Sequence, residues 1–175
     1  AGGRPKNDGL VVQQCGAGLV TIRRDSGRLA FAAPKLLRGG RPTEAEIERV
    51  AHILRIEPDT IVDAAWADNG PGWIAVMLDS ADAVLALDPD RRPGERIDIG
   101  VVGPHAAGSA VAFEIRAFFS DAQGALIEDP VTGSLNASVG QWLFGSGRAT
   151  DSYVAAQGTR LGRSGRIHVD RDSAG

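Results

Sequence analysis

Apolar positions recur at every second residue along much of this chain, and the helical spacing of three to four residues takes over in three places. Residues 10–13 and 18–22 read as strand material. Residues 28–33 resume it after the turn Arg24-Asp25-Ser26-Gly27, which makes 18–33 a β-hairpin. Pro34 closes that strand, and 36–42 form a linker around Gly39-Gly40. Thr43 opens the clearest helix. With Glu46 three residues on it spells a capping box, and Ile47, Val50, Ala51 and Leu54 fall on one face. Residues 60–67 and 73–78 are β-rich and split by the turn cluster Asp68-Asn69-Gly70-Pro71-Gly72. A short helix over 80–87 stops at Pro89. Strands over 97–102 and 111–119 flank a flexible turn, and 120–127 read as a loop. The segment 134–144, SLNASVGQWLF, is small or apolar around most of its circumference, as a helix buried on nearly all sides would be. Residues 153–156 and 165–169 supply the last two strands, while 1–9 form a polar, Gly-rich end.

The densest chemistry lies just ahead of that apolar helix, in Glu128-Asp129-Pro130-Val131-Thr132-Gly133-Ser134. Pro130 biases Asp129 toward an extended conformation and so holds the acid at a bend. Gly133 lets a ligand approach the backbone, and Ser134 suits the N-cap of the helix, whose first N–H groups would point outward as unpaired donors. Such a helix start accepts a carboxylate or phosphate. The same residues also spell an ordinary turn into a capped helix with no ligand, and both readings stand at this point. Glu128 is no substitute for its neighbour, because adjacent residues of an extended segment point to opposite sides.

Composition narrows the classes. Hydrophobic residues make up 43% of the 175 and charged ones 23%, ordinary for a globular protein, and the chain is long enough to bury a core as one or two domains. A net charge of −3 with no basic stretch argues against nucleic acid. The single cysteine, Cys15, excludes an internal disulfide framework and reads as a bystander. No apolar run is long enough to span a membrane and no secretory leader is present, so a cytoplasmic location is expected. His52 reads as a surface histidine with no acidic or cysteine partner at ligand spacing, and His105, among small residues, as an exposed loop histidine or one lining a cleft. The Gly- and Arg-containing stretches 145–150 and 158–165 match no phosphate-loop pattern.

EDPVTGS (128–134) resembles the signature of the PhzF-like isomerases of phenazine biosynthesis, which have the diaminopimelate-epimerase fold. GAGLVTI (16–22), GRLAFAAP (27–34), DNGPGWIAVML (68–78), IRAFFSD (115–121) and QGTRLGRSGRIHV (157–169) fit the same family in the same order, so the resemblance spans nearly the whole chain. It implies an α+β fold, a rolled, mostly antiparallel sheet around a central helix at about 134–144. Residues 1–34 would be remnant strands of an N-terminal lobe and 35–175 the C-terminal lobe. The implied activity is proton transfer at carbon in a small carboxylate-bearing substrate, isomerisation or epimerisation without cofactor or metal.

On that resemblance Asp129 and Ser134 would be catalytic. Gly133 and Ser134 would bind a substrate carboxylate, and the loop at Asn69 and Gly70 would lie beside the cleft as further substrate contacts. The family's catalytic glutamate and Gly-His-Pro motif have no counterpart ahead of Gly16. The expectation is therefore a piece of a longer enzyme that associates with a missing N-terminal lobe, or forms a homodimer. The alternative is a non-catalytic anion-binding or assembly module derived from the family.

Overall fold

The computed structural model describes residues 9–15, 18–25 and 27–171. Its first helix, α1 (Glu44–Leu54), starts where the capping box places it. Thr43 Oγ1 accepts from the Glu46 N–H at 3.3 Å, and Glu46 Oε2 accepts from the Thr43 N–H at 2.8 Å. The backbone bond from Thr43 is the main reason that the Glu46 carboxyl lies below its ordinary pKa. Ile47, Val50, Ala51, Ile53 and Leu54 form the buried face.

Ahead of α1 stands a three-stranded antiparallel sheet of β1 (Leu10–Cys15), β2 (Gly18–Asp25) and β3 (Arg28–Phe31). The expected hairpin is its β2–β3 half. Residues 1–8, read above as a loose end, lie outside the described residues, as does the side chain of Cys15. The sheet carries exposed apolar side chains, among them Val12, Leu19 and Leu29.

The second sheet has seven strands: β4 (Asp63–Trp66), β5 (Trp73–Met77), β6 (Asp98–Pro104), β7 (Phe113–Ser120), β8 (Leu126–Asp129), β9 (Tyr153–Gln157) and β10 (Gly165–Val169). Its path runs β10-β9-β7-β6-β5-β4, with β8 also on β7. Pairing is antiparallel except for β5–β6 and β7–β9. One face of the sheet packs against α1 and α2 (Ala81–Ala86), through residues such as Ile74, Val76, Ile99, Val101 and Phe118. The other face packs against α3 (Gly133–Gly145), through Trp73, Ala75, Val102, Ile115 and Ala117 against Leu135, Val139 and Leu143. This is the α+β architecture expected, with the small-residue segment as its central helix.

Two readings change. The end of the expected loop, residues 126 and 127, joins Glu128 and Asp129 of the signature in β8, because Leu126 is buried and the backbone pairs with β7. His105 is not an exposed loop histidine. The β6–β7 pairing folds the chain back so that His105 Nε2 lies 3.1 Å from Oε2 of the fully buried Glu114.

The edge of β7 is where the fold makes its site. β8 runs antiparallel along one end of that edge, pairing Asp129 with Ala117. β9 runs parallel along the other end, pairing Gln157 with Ile115. The C-terminal ends of the two strands therefore meet opposite Arg116. Ala117 and Ile115 belong to the core under α3, so the side chains of Asp129 and Gln157 share that face.

Candidate functional site

Asp129 ends β8, and Pro130 carries no N–H to continue a ladder, so the chain leaves the sheet there and turns into α3. The side chains of Glu128 and Asp129 part as strand alternation requires. Glu128 pairs with Phe118 on the α1–α2 side. Its two carboxylate oxygens accept from Arg116 Nε at 2.9 Å and Nη2 at 2.7 Å. Arg116 Nη1 also donates to the carbonyls of Val84 and Leu87 at the end of α2. Glu128 is thus a structural anchor.

On the α3 side, Asp129 is half-buried, and its Oδ2 accepts from Thr132 Oγ1 at 2.6 Å. Thr132, not Ser134, is the N-cap of α3. Its hydroxyl makes no capping bond because it is engaged with Asp129 and with Gln157 Nε2, 3.0 Å away. The helix accordingly begins one residue earlier than the sequence suggested, at Gly133. Among the described residues the N–H groups of Gly133, Ser134 and Leu135 have no acceptor; Leu135 is fully buried, so Gly133 and Ser134 are the ones that offer donors at the positive end of the thirteen-residue helix.

Ser134 stands in this first turn, half-buried. Its Oγ accepts from Trp73 Nε1 at 3.1 Å, which leaves the hydroxyl proton free to be donated. Asn69 is buried and donates from Nδ2 to the Ser134 carbonyl at 2.8 Å, which ties its loop to the helix mouth. Gly70 is exposed with φ +143°, and its N–H is taken by Asp68 Oδ1 at 2.7 Å. Gly133 is exposed, and Phe31 of β3 stands beside it: a Cβ built there would lie 3.3 Å from the ring. The structure therefore brings Asp129, Gly133, Ser134 and Asn69 together. It leaves Gly70 at the rim with its N–H engaged.

Sequence reasoning missed Thr132 and Gln157. Gln157 is fully buried, 0% exposed, with all four of its amide bonding positions used. Asn136, also buried, donates to its Oε1 at 2.7 Å and to the Thr132 carbonyl at 2.8 Å. The signal was present in the QG opening of the 157–169 motif and in the polar Asn136 on an otherwise apolar helix. Among the described residues no group of three or more His, Cys, Asp or Glu side chains is arranged to hold a metal ion.

Taken together, the arrangement is a carboxylate fixed on one oxygen, beside a hydroxyl donor and the free amides of Gly133 and Ser134. It can bind an anion through the amides and Ser134 while Asp129 gives or takes a proton.

The chain is similar to several known proteins. Residues 3–174 match the model of a family described as phenazine biosynthesis-like protein. Antisense-enhancing sequence 1 of Schizosaccharomyces pombe is 29% identical over 191 residues, covering 97% of this chain and 61% of that protein. The uncharacterized isomerase YfhB of Bacillus subtilis is 24% identical, covering 89% and 57%. The chain thus spans about three-fifths of the length of these relatives. Among solved structures, a PhzF-family phenazine biosynthesis protein of Bacillus anthracis superposes with TM-score 0.68 at 18% identity, over 97% of this chain and 62% of that one. A PhzF-family protein of Enterococcus faecalis gives 0.69 at 17%, over 95% and 58%. A predicted epimerase of Pseudomonas aeruginosa gives 0.61 at 18%, over 95% and 56%. No helix among the described residues is long and apolar enough to cross a membrane.

Proposed function

Because the chain belongs to the family of phenazine biosynthesis-like proteins, we propose that it carries one side of the active site of an isomerase or epimerase. The reaction is proton transfer at carbon in a small carboxylate-bearing metabolite, in the cytoplasm and without cofactor or metal. The observation that carries this reading is the Asp129 carboxylate, pinned through Oδ2 beside the free N–H groups and the Ser134 hydroxyl at the start of α3. The amides and Ser134 hold the substrate carboxylate or the enolate-like charge that develops, and Asp129 exchanges the proton. The second acid–base group comes from polypeptide corresponding to the length of the relatives that this chain does not cover, or from a second copy. The exposed apolar side chains of β1–β3, whose Phe31 already borders the site, favour a partner there.

The test is incorporation of solvent deuterium into small carboxylic acids by the natural gene product that carries this chain. Asp129→Asn is expected to lower the rate at least 100-fold, in the range of general acid–base contributions. An unchanged rate refutes the role given to Asp129.

A second reading, a non-catalytic anion-binding module, is favoured by one observation: among the described residues no other carboxylate or histidine is bonded to Asp129. Calorimetry with small carboxylates separates the two. Binding that Ser134→Pro abolishes, without any deuterium exchange, supports the module; exchange supports the enzyme.

A further inference from the structure

The amide of Gln157 can be oriented in only one way. Its Oε1 faces the Thr132 N–H at 3.1 Å, a group that can only donate, and its Nε2 faces the Asp129 carbonyl at 3.0 Å, a group that can only accept. Turning the amide over would break both bonds and also oppose Asn136 Nδ2, 2.7 Å from Oε1. The second Nε2 proton then points at Thr132 Oγ1, 3.0 Å away. That hydroxyl must receive it, because an amide nitrogen accepts nothing. Its own single proton is left with one destination, Asp129 Oδ2 at 2.6 Å. The chain of bonds from Asn136 through Gln157 and Thr132 to Asp129 therefore runs in one direction.

From this wiring we infer that Gln157 is a positioning residue for proton transfer at Asp129. It forces the Thr132 hydroxyl to donate to Oδ2 and thereby reserves Oδ1 as the oxygen that exchanges a proton with substrate. The inference rests on the isomerase reading for its chemistry, but the wiring stands on the geometry alone. Oδ1 takes no bond among the described residues and is not one of the oxygens sealed from solvent. In the transfer step the Oδ1–H bond breaks as the substrate C–H bond forms, the bonding pair of O–H stays on Oδ1, and the reverse holds for abstraction. A carboxylate free to rotate would present either oxygen. One pinned on Oδ2 keeps the other aimed, and the residue doing the pinning is the Thr of the EDPVTGS segment.

The experiment has two arms. In the 175-residue chain, NMR is used to find the Thr132 hydroxyl proton and the carbonyl or carboxyl carbon to which it couples across its hydrogen bond. The expected partner is the Asp129 carboxyl carbon. In Gln157→Glu, which replaces the donating NH2 by oxygen, the coupling moves to the new carboxylate at position 157. Coupling of the unaltered hydroxyl to any other acceptor overturns the inference, whatever the activity.

In the natural gene product, Gln157→Glu and Thr132→Val are each expected to lower kcat by 10- to 100-fold with KM unchanged. Thr132→Ser, which keeps the hydroxyl, restores at least half the rate. A merely structural role predicts equal losses for Ser and Val that follow the fall in melting temperature, and that result also overturns the inference. Absence of any exchange by the unaltered protein refutes the isomerase reading, while the hydroxyl coupling still decides the wiring.

Discussion

Replacing Arg116 tests whether the first acid of the signature serves stability. The Arg116 and Glu128 side chains are 2% and 3% exposed and meet through two parallel bonds of 2.9 and 2.7 Å. The remaining guanidinium nitrogen holds the Val84 and Leu87 carbonyls at 3.1 and 2.8 Å. Arg116→Met keeps the apolar volume but leaves a buried carboxylate unpaired, which costs about 3–5 kcal/mol. Two carbonyls also lose a donor, at about 1 kcal/mol each, partly recovered by relaxation. The expected total is about 5 kcal/mol, a third or more of the stability of a typical domain. The double variant Arg116→Met/Glu128→Leu removes the stranded charge and is expected to regain at least half of the loss. Urea unfolding followed by tryptophan fluorescence reads both as shifts in midpoint at constant slope. A loss below about 1 kcal/mol for Arg116→Met, or a double variant no better than the single one, would refute the reasoning.

Two further outcomes are expected. Tyr153 is the single tyrosine of the chain, and its buried hydroxyl has no partner among the described residues; burial pushes its ionisation well above the ordinary value. Absorbance near 295 nm should show almost no phenolate in the native protein at about pH 11, where roughly nine-tenths of the unfolded chain's tyrosine is ionised, and Tyr153→Phe should be neutral or stabilising. Burial raises the pKa of Asp98, Asp68 adds to the effect and Arg96 opposes it. An acid whose folded pKa is raised contributes stability that is present below its unfolded value and lost as pH rises through the folded one. Asp98→Asn should therefore raise the melting temperature at pH 7 and lose that gain by about pH 3; an equal gain at both would rule out the electrostatic cause.

What could be read in the sequence follows from range. The α1 capping box, the Ser80 start of α2 and the small-residue surface of α3 are written within one turn of chain, and each stands where the pattern placed it. The strand β8 was missed because its four residues end in Glu-Asp and are followed by Pro130, a run whose local preference is for a turn. Pairing with β7 overrides that preference. Thr132 was passed over for Ser134 because both make good caps, and only Gln157, twenty-five residues on, decides which hydroxyl is already committed. The His105–Glu114 pair was hidden for the same reason: nine residues of sequence reveal nothing until the register of a hairpin sets them side by side. Buried amides such as Gln157 and Asn136 carry no periodic signature, since a polar residue in an apolar run looks the same whether it faces water or a partner.

The meeting of two strand ends on one edge of β7 gives the EDPVTGS segment a parity. Its neighbouring acids are sorted to opposite layers, one to the Arg116 guanidinium and one to the Thr132 hydroxyl, solely by being odd and even along the same strand. Insertion or loss of one residue in β8 would exchange their assignments, sending Asp129 toward the guanidinium and Glu128 toward the helix mouth. Two such changes would restore the order. Variation in this strand should therefore come by substitution or in steps of two.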